Sequence, residues 1–208
     1  MELEGFNFSG YLDGVKEVLD RLPLERARKI CDIIYQAYLD DQTLFIFGNG
    51  GSAALASHLA CDLGKGAHHP GSLEMSGVKR LKVLALTDNI PMISAWANDS
   101  GYEDVFAEQM RNFIQSGDVA FGISASGNSP NVLRALELAK KEGAITVGIT
   151  GFQGGKMNAL LDVGIVVPSE NMQQIEDAHL ILAHMIFLDL RRRFQALAAE
   201  RKQTPSAS

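Results

Sequence analysis

The chain has 208 residues, 46% of them apolar, which is ample for one domain with a substantial core and too short for two comfortable ones. Its net charge of −6, with basic residues interspersed among acids, excludes a footprint for nonspecific nucleic-acid binding and still allows a small anionic ligand held locally. Cys31 and Cys61 make no metal-type spacing, the N-terminal residues carry no signal-peptide pattern and no apolar run is long enough for a membrane span, so a reduced, soluble, cytoplasmic protein is expected.

Two amphipathic helical patterns come first, Phe8 to Leu22 and Glu25 to Leu39, separated by Pro23. They precede any strand and are expected to form a helical hairpin, about residues 1–41, outside the sheet. From Thr43 onward strand and helix alternate. Leu44–Phe47, Val83–Leu86, Val119–Ile123, Ile145–Ile149 and Val163–Val167 read as strands; Ser52–Leu63, Pro91–Ala97, Val105–Ile114 and Pro130–Glu142 read as helices. This predicts an α/β fold with a five-stranded parallel sheet and helices on both faces. Ligands in such a fold bind outside the carboxyl ends of the strands, where the Gly48 turn, Thr87–Asn89, Ser124–Ser129 and Thr150–Gly155 should converge. The aperiodic stretch Gly64–Arg80, with His68 and His69, is either a loop near the site mouth or a plain surface excursion. A last helix is predicted from Met172 to Leu197, its apolar side carrying Ile175, Leu182, Ile186 and Leu190. Arg191-Arg192-Arg193 read as its solvated, basic end. Residues 1–197 then form one domain and 198–208 a polar, frayed tail.

Phe45 to Asp62 reads as strand, glycine turn, helix. In Gly48-Asn49-Gly50-Gly51-Ser52 the glycines permit a sharp turn and bring bare N–H groups, with the positive end of the next helix, toward an anion. A bare tight turn is the plain alternative. Gly48, Gly50 and Ala53 also satisfy the letter of the dinucleotide fingerprint, but the acidic residue expected about 20 residues on is missing. In the second loop, Ser124-Ala125-Ser126-Gly127-Asn128-Ser129, three hydroxyls precede a helix with Pro130 at its first position. Ser129 is the natural cap, whereas Ser124 and Ser126 point to phosphate binding. His58 and Asp62 are four apart on one helix and can meet, as a proton-transfer or metal pair. Glu176 and His184 are eight apart, about 12 Å of helix rise, and converge only if their side chains lean together. His179 reads as a hydrogen-bonded core residue; His184, inside an apolar run, requires a partner or a function.

Gly48–Ser52, Ser124–Ser129, Ala97-Asn98-Asp99 and Gly154-Gly155-Lys156-Met157, in this order, resemble the sugar isomerase (SIS) domain family, and within it the bacterial phosphoheptose isomerases. The resemblance covers nearly the whole chain and implies a flavodoxin-like sheet. It implies that Asn49, Gly50, Gly51, Ser52, Asn98, Asp99, Ser124, Ala125, Ser126, Ser129 and Glu176 line a sugar-phosphate site, with Asp62 also touching substrate. It implies a zinc ion at His58, Asp62, Glu176 and His184, with Asp62 as catalytic base and His184 as catalytic acid, and a homotetramer sharing its sites between subunits. Three residues depart from the family pattern: Asp62 for the usual Glu, Glu176 for the usual Gln and Ala125 for a hydroxyl residue. The expected activity is aldose–ketose isomerisation of sedoheptulose 7-phosphate. Alternatives are an isomerase of another sugar phosphate, a non-catalytic sugar-phosphate sensor, or a scaffold similar to the family's replication initiator-binding relatives.

Overall fold

The computed structural model describes residues 6–66 and 79–203. Strands β1 (Thr43–Gly48), β2 (Lys82–Ala85), β3 (Val119–Ser124), β4 (Ile145–Thr150) and β5 (Val163–Val166) form one parallel sheet in the order β2-β1-β3-β4-β5. Leu44 to Gly48 and all of β3 are buried, because helices cover the sheet on both sides. Strand alternation then sorts the side chains. Leu44, Ile46, Phe121 and Ile123 enter one core with α1 (Phe8–Asp20), α2 (Leu24–Leu39), α3 (Gly51–Cys61) and α7 (Met172–Gln203). Phe45, Phe47 and Ala120 enter the other, with α4 (Ile90–Asp99), α5 (Val105–Arg111) and α6 (Pro130–Lys141).

The N-terminal helices precede the sheet as expected, and they do not stand apart from it: Ile30 and Ile34 of α2 are fully buried in the first core. The apolar stripe Ala27, Ile30, Ile34, Ala37 can lose its contact with water only by facing the sheet. Nor do Arg191–Arg193 end the last helix, which continues to Gln203 because Phe194 beyond them still has core to fill, against Tyr38 at 4.5 Å between ring centroids. Arg193 Nη1 instead lies 2.7 Å from Asp32 Oδ1 and ties α7 to α2. Beneath this pair, burial pushes the Cys31 thiol up to about 12, with Asp189 adding to the effect, while Cys61 is exposed.

The strand order decides where a ligand can sit. From β1 the chain goes outward to β2, then returns across β1 to β3, so the loops leaving β1 and β3 diverge over opposite faces and open a crevice at their carboxyl ends. The loop after β2 joins them from the side: Thr87 Oγ1 is 3.0 Å from Ser57 Oγ on α3, and Asp88 accepts from the same hydroxyl. Among the described residues no helix is long and apolar enough to cross a membrane. Asp62–Gly66 form a π-helical turn continuing α3, and His68 and His69, with most of the predicted loop, lie outside the described residues.

Candidate active site

The turn after β1 depends on two glycines for different reasons. A Cβ on Gly48 would lie 2.6 Å from the Ile123 carbonyl oxygen, so β3 could not approach. Gly50 caps α3 with φ +55° and ψ −122°, a conformation that L side chains rarely adopt, while space around it is open. Between them, Asn49 forms a reciprocal amide pair with Asn131 of α6: Asn49 Nδ2 donates to Asn131 Oδ1 and Asn131 Nδ2 donates to Asn49 Oδ1, both at 2.8 Å. Sequence reasoning missed Asn131. Its signal was available, because a polar residue in the same stripe as Val132 and Ala135 is buried only with a partner.

The serine loop is braced from behind. Gly127 has φ +62°, and a Cβ there would come within 2.1 Å of the Gly154 carbonyl oxygen. Met157 N donates to Gly127 O at 2.9 Å and Lys156 N to Asn128 Oδ1 at 3.1 Å, so Gly154–Met157 is a buttress. Ser129 occupies the N-cap position of α6, but its side chain makes no capping bond there. Its Oγ lies 3.2 Å from Ser124 Oγ, so the two hydroxyls face each other where the cap reading placed only one. Ser126 is exposed and accepts from Asn128 N, whereas the Ala125 side chain packs into the first core. Asn98 and Asp99 end α4, exposed and bonded to each other at 2.8 Å. Tyr102, three residues on, reaches Asn49 Oδ1 with its hydroxyl at 3.1 Å.

Across the first core, α3 and α7 bring three titratable side chains together. His58 Nε2 lies 3.0 Å from His184 Nε2 and 3.5 Å from Asp62 Oδ2, and the three donor atoms all lie within 4.8 Å of one another. Tetrahedral zinc, with bonds of about 2.0–2.1 Å, keeps its donors about 3.3–3.4 Å apart. Two imidazoles and a carboxylate at these separations suit such an ion. Glu176 is not in this group, because eight residues of helix separate it from His184. Its carboxylate faces the start of α3, where a Cβ on Gly51 would be 3.3 Å from Glu176 Oε1. A cavity of about 280 Å³ runs from Gly51 and Glu176 to His58, lined by Ser52, Leu55 and Leu180 among others.

His179 closes the floor of this cavity as the core residue expected. It is 1% exposed and its Nε2–H donates to the Thr150 carbonyl at 3.1 Å. Burial drives its pKa down to about 4, the bond to Thr150 acting the other way. The unfolded value is about 6.5, so the folded state holds the neutral ring while the unfolded chain takes up a proton. Stability from this group is complete above pH 6.5 and is lost as pH falls toward 4, about 2 kcal/mol by pH 5. Urea unfolding at pH 7.5 and pH 5 should therefore show a larger loss for the parent than for His179→Gln; equal losses would contradict a depressed histidine.

A SIS domain model matches residues 10–151. The phosphoheptose isomerase of Sulfurimonas denitrificans is 38% identical over 165 residues, 78% of each chain. That of Aliarcobacter butzleri is 36% identical over 181 residues, 86% of this chain and 90% of its own. The chain belongs to the SIS-domain family, in its phosphoheptose isomerase branch. The structure of the phosphoheptose isomerase from Neisseria gonorrhoeae superposes with a TM-score of 0.78 at 30% identity, covering 88% of this chain and 94% of that one. The five-stranded SIS sheet and its N-terminal helices are thus shared across nearly the full length of both proteins.

Proposed function

We propose that this SIS-family chain is a phosphosugar aldose–ketose isomerase that interconverts sedoheptulose 7-phosphate and D-glycero-D-manno-heptose 7-phosphate. The observation that carries the reading is Asp62 and His184 of α7 gathered with His58, which lies on the helix that starts at the Gly48–Ser52 turn. The remote phosphate is held by Ser124, Ser126 and Ser129 with the amide-rich start of α3, next to Gly50 and Gly51. Binding energy gained there positions the reacting end. Asn49, Ser52, Asn98, Asp99 and Glu176 line the sugar.

At the reacting end Asp62 removes the proton from C1 of the ketose, and His184 protonates O2 as the enediol forms. The O1 proton then leaves to His184 while Asp62 returns its proton to C2, giving the aldose with no net proton change. His58, Asp62 and His184 would hold a zinc ion, which supplies polarisation of the substrate carbonyl. Leu180, Met185 and Leu188 are exposed on α7 around His184, which supports a homotetramer whose subunits cover one another's sites. The chain acts in the cytoplasm and needs no nucleic acid.

Purified protein is tested for turnover of sedoheptulose 7-phosphate after chelation and after zinc is returned. Heptose 7-phosphate formation that zinc restores is expected. Phosphosugar binding without turnover under any metal would sink the enzyme reading and leave a sugar-phosphate sensor.

A further inference from the structure

The Asn49–Asn131 amide pair has a fixed polarity. Val132 N, which can only donate, bonds Asn131 Oδ1 at 3.0 Å, so that oxygen faces the α6 backbone and also receives Asn49 Nδ2. Asn131 Nδ2 must then be the donor to Asn49 Oδ1. The same Oδ1 accepts the Tyr102 hydroxyl at 3.1 Å, which occupies its second lone pair. The Asn49 side chain consequently has no acceptor to offer a ligand. What it retains, among the bonds of the described residues, is one N–H of Nδ2 beside the glycine turn.

Tyr102 is 56% exposed, on a short 3₁₀ turn between α4 and α5, so its ring contributes little to the core. Its chain position is nonetheless held by Arg134 of α6, which pairs with Glu103 at 3.6 Å and with Asp104. A mostly exposed phenol on an anchored turn, spending its proton on a loop asparagine, is placed to orient that asparagine.

We infer that Tyr102 is a positioning residue for substrate: with the polarity set by Asn131, its hydroxyl takes the remaining lone pair of Asn49 Oδ1 and holds that amide with only a donor to present, so that the β1 turn reads an oxygen acceptor of the sugar phosphate, not a hydroxyl proton. This rests on the phosphosugar reading of the site. Losing one neutral hydrogen bond that orients a binding group changes affinity by about five- to tenfold.

The test is a double-mutant cycle of Tyr102→Phe and Asn49→Ala in the full chain, read by calorimetric binding of sedoheptulose 7-phosphate and, for Tyr102→Phe, by the side-chain NH₂ resonances of Asn49 in asparagine-labelled protein. Tyr102→Phe should raise Kd about five- to tenfold, move the Asn49 resonances and leave the unfolding midpoint in place. In the Asn49→Ala background the same substitution should add nothing. Additive effects, or an unchanged Kd in a protein that binds the sugar, overturn the inference while the isomerase reading stands. If the parent binds no sedoheptulose 7-phosphate, that reading fails instead, and unmoved Asn49 resonances in Tyr102→Phe would still overturn the positioning role.

Discussion

Asp62→Asn and His184→Ala should each lower kcat for sedoheptulose 7-phosphate by about a hundred- to ten-thousandfold, the range that positioned proton transfer contributes. Phosphosugar affinity should change far less, because the proposed phosphate site is the serine loop and the start of α3, away from both residues in sequence. Asp62 is half-buried and His184 exposed, so neither substitution opens a core cavity. Asp62→Glu separates charge from placement. It keeps the carboxylate and moves it by about an ångström, a displacement that can cost up to about a hundredfold. It should therefore retain clearly more activity than Asp62→Asn. Zinc content, measured on each variant beside His58→Ala, separates loss of a ligand from loss of a proton carrier. A variant that keeps zinc, binds sugar and turns over at the parent rate would remove that residue from the catalytic step.

The second large effect is expected at Gly127. Alanine there meets a positive φ and a backbone oxygen at 2.1 Å, and a backbone oxygen cannot swing aside as a side-chain tip can. Left-handed strain and overpacking together should cost about 4 kcal/mol, seen as a shifted urea midpoint, and should part the serine loop from Gly154–Met157. Gly50→Ala is the comparison, since φ +55° strains it while nothing stands within 4 Å of its Cβ. It should be the milder change to stability. Similar midpoints for the two variants would show that the buttress yields easily.

Much of this architecture was legible because its signals are local. Buried parallel strands write themselves as short apolar runs, Leu44–Phe47 or Val119–Ile123, and glycine or proline punctuates the chain between them. The i, i+4 spacing of His58 and Asp62 required only that one helix form, and their 3.5 Å approach follows from it. The isolation of His179 in the core was also readable from its apolar neighbours.

What the sequence did not hold is the meeting of segments far apart. That α2 covers the sheet, although it precedes every strand, depends on which face α7 leaves free. That His184 joins His58 while Glu176 turns to Gly51 depends on how α7 crosses α3, and no spacing along one helix encodes a crossing. Ser129 could be read as a cap, since its position before Pro130 is right. Only the fold brings Ser124 within 3.2 Å and shows the two hydroxyls facing each other. Asn49, Asn131 and Tyr102 come from three separate loops and helix starts, and their hydrogen bonds have no periodic trace. The sequence by itself determined the elements, the sheet class and the glycine turns, because these follow from backbone sterics and burial within a few residues. The tertiary structure alone decided which polar groups share a partner, because hydrogen bonds act over about 3 Å and exist only after the core has set the distances.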